Sequence, residues 1–188
     1  MNKLFVEASP HIRSSRTTKN IMLDVIIALC PALIASIVLF GYKAAVLTAV
    51  CVACCVLFEF LFNKIVKKPG TVSDLSAIVT GIILSFNLPV DLPIYMAVIG
   101  CFVAIVIVKC LFGGIGQNFA NPAITARIVL MLSFTAAMTT WTEPFAWLKG
   151  GTDAMTSATP LGVISSGEGT LPSLMDMLLG VRGGCLGE

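Results

Sequence analysis

Residues 21–40 read IMLDVIIALCPALIASIVLF, a run in which Asp24 is the sole charge. About 20 apolar residues suffice for a helix to cross the hydrocarbon layer. The run is therefore read as a membrane helix. Pro31 lies inside it, tolerable because neighbouring groups can satisfy the carbonyl that a proline frees. The preceding segment, Met1 to Asn20, is polar and basic with no apolar core of the kind a cleavable signal carries, so this helix is expected to stay in the mature chain.

The rest of the chain repeats that pattern. Of its 188 residues 57% are hydrophobic and 12% charged, against about half and about a quarter in an ordinary soluble domain. So much apolar surface needs lipid. A net charge of +2 offers nothing for nucleic acid. After the tight connection Gly41-Tyr42-Lys43, a second run covers about 44–62, and the basic stretch 63–73 with its Pro69-Gly70 turn follows. A third run, about 75–88, is short and ends at Asn87, Pro89, Asp91 and Pro93. A fourth covers about 94–112, and a short fifth about 123–138. Short runs interrupted by Gly or Pro are typical of broken helices lining a site near the membrane middle.

The expected fold is an all-α polytopic membrane protein with about five transmembrane helices. Residues 1–20 form a cytoplasmic segment, 21–140 the helix bundle, 141–173 an extracytoplasmic loop and 174–188 the start of a further part. Trp141 and Trp147 suit the membrane–water interface. With the N-terminus inside and five crossings, nine of the basic residues fall inside and three (Lys43, Lys149, Arg182) outside, the bias expected of cytoplasmic loops. The loop after Trp141 then lies outside.

Seven cysteines are present, six of them in or at the ends of apolar runs. Cys51-x-x-Cys54 has a metal-ligand spacing, but no second pair matches it. These residues read first as small apolar helix positions, with cluster or disulfide roles, including chemistry shared with a partner subunit, as alternatives. No metal site is expected. Asp24, Glu59 and Asp74 lie near the cytoplasmic boundary and read as interface anchors that reach water or pair with Lys64 or Lys67, although acids inside a membrane are by default candidates for an ion path.

Two blocks carry chemical information. Gly113 to Arg127 reads GGIGQNFANPAITAR. Its glycines permit close approach of backbone or of a flat ligand, and Asn118 and Asn121 offer donors and acceptors suited to the polar edge of a heterocycle. Pro122 can start a helix. Arg127 could meet an anionic ligand group or a helix C-terminus. Read alone, the block is a Gly-rich turn. The second block, Asp153-Ala154-Met155-Thr156-Ser157-Ala158-Thr159-Pro160-Leu161-Gly162, is alone a polar loop with a Thr-Pro turn.

Together these blocks resemble the D subunit of the Rnf ferredoxin–NAD⁺ oxidoreductase and, more distantly, the B subunit of the Na⁺-translocating NADH–quinone reductase. The opening stretch to Arg16, with SPHIRS at Ser9 to Ser14, is consistent with that family. In it, a flavin transferase joins FMN to a threonine hydroxyl through a phosphoester. The target is Asp, two residues, Ser or Thr, a small residue, Ala, and the modified Ser or Thr. Asp153, Thr156, Ser157, Ala158 and Thr159 fit in order, so the resemblance implies covalent FMN on Thr159, making the chain a flavoprotein with a phosphorylated threonine. Asp153 is expected to shape the loop or serve the transferase, and no residue is assigned as catalytic. A second flavin near Asn118, Asn121 and Arg127 is a further implication.

The resemblance also implies the wider role: an electron-relaying subunit of a redox-driven Na⁺ or H⁺ pump in the bacterial cytoplasmic membrane. Its partners would be flavin and iron–sulfur subunits. Family members have about ten helices in two inverted halves, so the five runs here, ending at Gly183-Gly184-Cys185-Leu186-Gly187-Glu188, are expected to be the first half. Two rivals remain: a small-solute channel or transporter with broken helices, which needs no flavin motif, and a structural scaffold, which would tolerate loss of Thr159.

Overall fold

The computed structural model of the protein describes residues 16–67, 72–148, 159–167 and 173–188. Helices dominate and no strand occurs among the described residues. Helix α1 (Thr18–Phe40) starts three residues before Ile21, because Thr17 caps it and its Oγ1 accepts from the Asn20 N–H. α2 (Tyr42–Val66) follows after one residue. Gly41 makes that hairpin with φ 77°, a conformation glycine adopts freely, while its N–H closes the last turn on the Ile37 carbonyl at 2.8 Å. Among the described residues, α1 and α2 are the two helices long and apolar enough to cross a membrane.

The remaining runs make shorter pieces. α3 (Ser76–Phe86) begins after Leu75, which is left-handed at φ 62°, and stops where the Asn87 side chain donates to the Ile83 carbonyl. Its 11 residues extend only about 16 Å at 1.5 Å per residue, roughly half a bilayer core. α4 (Ile94–Phe102) continues as a π-helical stretch, Val103–Cys110. The fifth run is broken at Phe134 into α5 (Pro122–Ser133) and α6 (Thr135–Met138). α7 (Pro160–Ser166) and α8 (Leu174–Leu179) complete the described chain.

The core lies where α2, α3, α4 and α5 meet, around Cys51, Leu84, Ile105, Val108 and Leu130. Small residues set the spacing. A Cβ on Gly81 would stand 2.8 Å from the Val52 Cα, and one on Gly100 2.7 Å from a Leu130 methyl. α1 contributes little to this core, burying only Ser36 and Phe40 and leaving Ile27, Ile34 and Val38 more than half exposed. Such an apolar outer face fits lipid or another hydrophobic subunit rather than water. The last residues fold back on the end of α3: the Leu186 N–H donates to the Leu88 carbonyl and the Gly187 N–H to the Phe86 carbonyl.

The bundle thus has two distinct ends. The α1–α2 hairpin, Asp91 and Thr142 gather at one. Glu59, Ser76 and Lys109 gather at the other.

Candidate functional site

Thr159 is half-buried and begins α7. Pro160 fills the first helical position, where its missing N–H costs nothing. The Thr159 hydroxyl oxygen accepts from the Gly162 N–H at 3.2 Å. Asp153, Thr156, Ser157 and Ala158 lie outside the described residues, as does the SPHIRS segment. Thr159 has the chemistry a phosphoester requires, a hydroxyl that is not sealed in the core.

The segment leading toward Thr159 is strapped to the α1–α2 hairpin. The Phe145 N–H donates to the Leu39 carbonyl at 2.7 Å, with Phe145 itself left-handed at φ 60°. The Trp147 indole lies against Gly41, where a Cβ would stand 2.6 Å from the ring, and its Nε1–H points at the Val38 carbonyl. Beside it, Lys43 donates to Asp91 Oδ1, and the Thr142 hydroxyl donates to Asp91 Oδ2 at 2.6 Å. Burial alone would raise the Asp91 pKa, but the bonds from Lys43 and Thr142 and the charge of Lys43 outweigh it and hold the carboxyl below its ordinary range. Phe40, Tyr42, Lys43, Asp91, Glu143 and Trp147 are among the residues lining a cavity of about 290 Å³ here.

The Gly-rich block is divided among different tasks. Gly113, Gly114 and Gly116 all have positive φ, so this turn depends on glycine. Asn121 caps α5, its Oδ1 accepting from the Ala123 and Ile124 N–H groups at 3.1 and 3.3 Å. Asn118 holds a buried Oδ1 that accepts no hydrogen bond among the described residues. Arg127 instead reaches across the bundle, Nη1 donating to Asn87 Oδ1 at 2.9 Å. With Phe86, Asn87, Cys185, Gly187 and Glu188 it lines a polar cavity of about 320 Å³ that includes neither Asn118 nor Asn121. Arg127 thus stands at the C-terminal end of α3, one of the two positions its sequence context allowed.

The other end holds a cluster that sequence reasoning missed. Glu59, expected as an anchor at the boundary, is instead buried in the bundle. Its Oε1 accepts from Lys109 Nζ at 2.8 Å, with side-chain exposures of 1% and 3%. Lys109 also donates to the Ser76 hydroxyl at 2.6 Å. Lys109 therefore sits inside the bundle. A glutamate and a lysine in separate apolar runs were the available signal, but nothing in the sequence paired them. Asp24 does behave as an exposed anchor, its partner being Arg16 at 3.0 Å.

Five of the seven cysteines are buried as small core residues, while Cys54 is partly buried and Cys30 exposed. Cys51, Cys55 and Cys101 are fully buried between α2 and α4, and the Cys101 thiol faces the Cys51 carbonyl at 3.5 Å. All seven are free thiols, and no group of three or more metal-ligating side chains occurs among the described residues.

The description "NQR2, RnfD, RnfE family" belongs to a family model that matches residues 5–188. The chain belongs to that family. Its curated relatives include the D subunit of the Na(+)-translocating ferredoxin:NAD(+) oxidoreductase complex of Acetobacterium woodii. That protein is 47% identical over 188 residues, 98% of this chain and 58% of the relative. The D subunit of the proton-translocating ferredoxin:NAD(+) oxidoreductase complex of Clostridium ljungdahlii is 39% identical over 198 residues, 100% of this chain and 58% of the relative. The D subunit of the ion-translocating oxidoreductase complex of Rhodobacter capsulatus is 38% identical over 209 residues, 96% of this chain and 58% of the relative. The chain spans a little over half the length of these NQR2, RnfD, RnfE family members.

Proposed function

We propose that this chain is the flavin-bearing first half of a D-type subunit in a membrane complex that couples electron transfer between ferredoxin and NAD⁺ to Na⁺ or H⁺ translocation. The observation that carries the reading is Thr159: the last residue of the Asp153–Thr159 motif, a half-buried hydroxyl at the head of α7. The names of the relatives from Acetobacterium woodii and Clostridium ljungdahlii support the reaction class.

A flavin transferase attaches FMN to Thr159 through its phosphate, and the bound FMN supplies one- and two-electron chemistry between neighbouring flavin and iron–sulfur subunits. The chain's own residues bind and position it. The α1–α2 hairpin and the strap of residues 142–148 form the extracytoplasmic end. Five crossings with the N-terminus in the cytoplasm of a bacterial cell place Thr159 outside, and a second, inverted half completes a ten-helix subunit. Asn118, whose buried oxygen accepts no hydrogen bond among the described residues, and the glycines near it are suited to the polar edge of a second flavin, while Arg127 bonds Asn87.

The test is a denaturing gel of the complex co-expressed with its flavin transferase, with Thr159→Ala beside it. A fluorescent wild-type band and a dark variant are expected. A dark wild-type band with active transferase would remove the flavin assignment. It would bring forward the small-solute transporter, which the short α3 and α5 and the buried Glu59–Lys109 pair favour.

A further inference from the structure

The cavity beside the α1–α2 hairpin has the parts of a seat for a planar, acceptor-rich ring. One wall is Trp147. Its indole is pressed on Gly41, the only residue type that leaves room for it, and is still 49% exposed. A flat aromatic face that is both held and open is a stacking platform, since aromatic rings prefer offset stacked or edge contacts. Tyr42, 70% exposed, stands on the same rim. The polar side is Lys43. An ammonium has three N–H donors, one of which goes to Asp91, and the side chain remains 55% exposed. Asp91 is in turn held by Thr142, so the cation is fixed in direction while keeping donors for a ligand. At about 290 Å³, the cavity matches the lower end of small-molecule sites, roughly 300 Å³.

Chain connectivity brings Thr159 to the same side. Residues 149–158 separate Trp147 and Leu148 from Thr159, too few for a spanning helix, which needs about 20. Extended backbone does not cross lipid unpaired. A segment of this length still reaches up to roughly 36 Å at about 3.3–3.6 Å per residue, so the tether leaves the cavity within range.

We propose that the isoalloxazine ring of the flavin carried on Thr159 seats in this cavity, its flat face on Trp147 and its acceptor-rich pyrimidine edge toward Lys43. This rests on the reading that Thr159 carries flavin. Trp147 fixes the ring's plane, and Lys43 stabilises the negative charge that reduction places on the pyrimidine edge. The Gly41 contact and the Asp91 clip are the supports that hold these two groups in place.

The test uses the assembled complex, co-expressed with its transferase, as wild type, Trp147→Leu and Lys43→Met. Covalent loading is read first, on a denaturing gel: a dark wild-type band overturns the Thr159 reading and this one with it. In loaded protein, flavin emission is compared before and after denaturation. Contact with an indole quenches flavin emission, so wild type is expected to brighten severalfold on unfolding. Trp147→Leu is expected to be bright already in the native complex, with equal emission once denatured. Lys43→Met is expected to keep the quenching and shift the flavin midpoint to a more negative potential. If Trp147→Leu does not assemble, Trp147→Phe is read in its place, because a phenyl ring fills the space without quenching. Native emission of the tryptophan variant equal to wild type, on a fluorescent gel band, overturns the seat while leaving the flavin on Thr159 standing.

Discussion

Lys109 Nζ and Glu59 Oε1 stand 2.8 Å apart with their side chains almost wholly buried, joining the π-helical stretch after α4 to the C-terminal half of α2. Ser76 at the start of α3 completes the contact. One ion pair therefore ties three elements together. The π-helical stretch that carries Lys109 is itself unusual, since such turns are rare and concentrate at functional positions.

Removing one member of this pair strands the other charge away from water. Lys109→Met or Glu59→Leu is expected to destabilise the protein by about 3–5 kcal/mol, while the double variant Glu59→Leu/Lys109→Met recovers most of that loss. Thermal unfolding of the detergent-solubilised protein checks this. Additive losses in the double variant would show that the two residues do not act as a pair.

Asn121 serves as a helix cap, and the cost of losing it follows. Asn121→Ala leaves the Ala123 and Ile124 N–H groups without the Oδ1 acceptor and is expected to cost about 1 kcal/mol, whereas Asn121→Ser retains most of the stability. The same thermal measurement ranks the two. A serine variant as unstable as the alanine variant would show that capping is not what Asn121 contributes.

Asp91 makes the hairpin end sensitive to acid. Its carboxyl titrates at lower pH folded than unfolded, so its contribution is fully present above the unfolded carboxylate value, about 3.9. It is lost as pH falls from there through the depressed folded value, where the unfolded chain takes up protons first. Wild type is expected to exceed Asp91→Asn in thermal stability at neutral pH, the gap closing below about pH 4. A gap that stays constant down to low pH would show that the charge on Asp91 is not what holds Lys43 and Thr142.

The glycine-rich block illustrates what a single sequence makes legible. That Pro122 begins a helix, that Asn121 stands just before it and that the glycines turn the chain are local facts, decided within a few residues. That Asn121 bonds its own helix while Arg127 crosses to Asn87, forty residues away, depends on how α3 and α5 are rotated against each other. No local pattern encodes that rotation. For the same reason the cavity that Arg127 lines beside Asn87 includes neither Asn118 nor Asn121, its neighbours in the chain.

By itself the sequence located the long apolar helices, though not α7 inside the expected loop or the break at Phe134. Run lengths near the bilayer thickness, and the breaks at Gly41, Asn87 to Pro93 and Gly113 to Asn121, act through local hydrophobicity and backbone preference. It also singled out Thr159, because the stretch Asp153 to Thr159 that points to it is contiguous. Tertiary structure alone decided that Glu59 meets Lys109, that Lys43 meets Asp91 and that Trp147 rests on Gly41. Each of these joins residues far apart in the chain, and whether they touch depends on helix register and crossing distance. Those are set by which small residues, such as Gly81 and Gly100, let neighbouring helices close on one another.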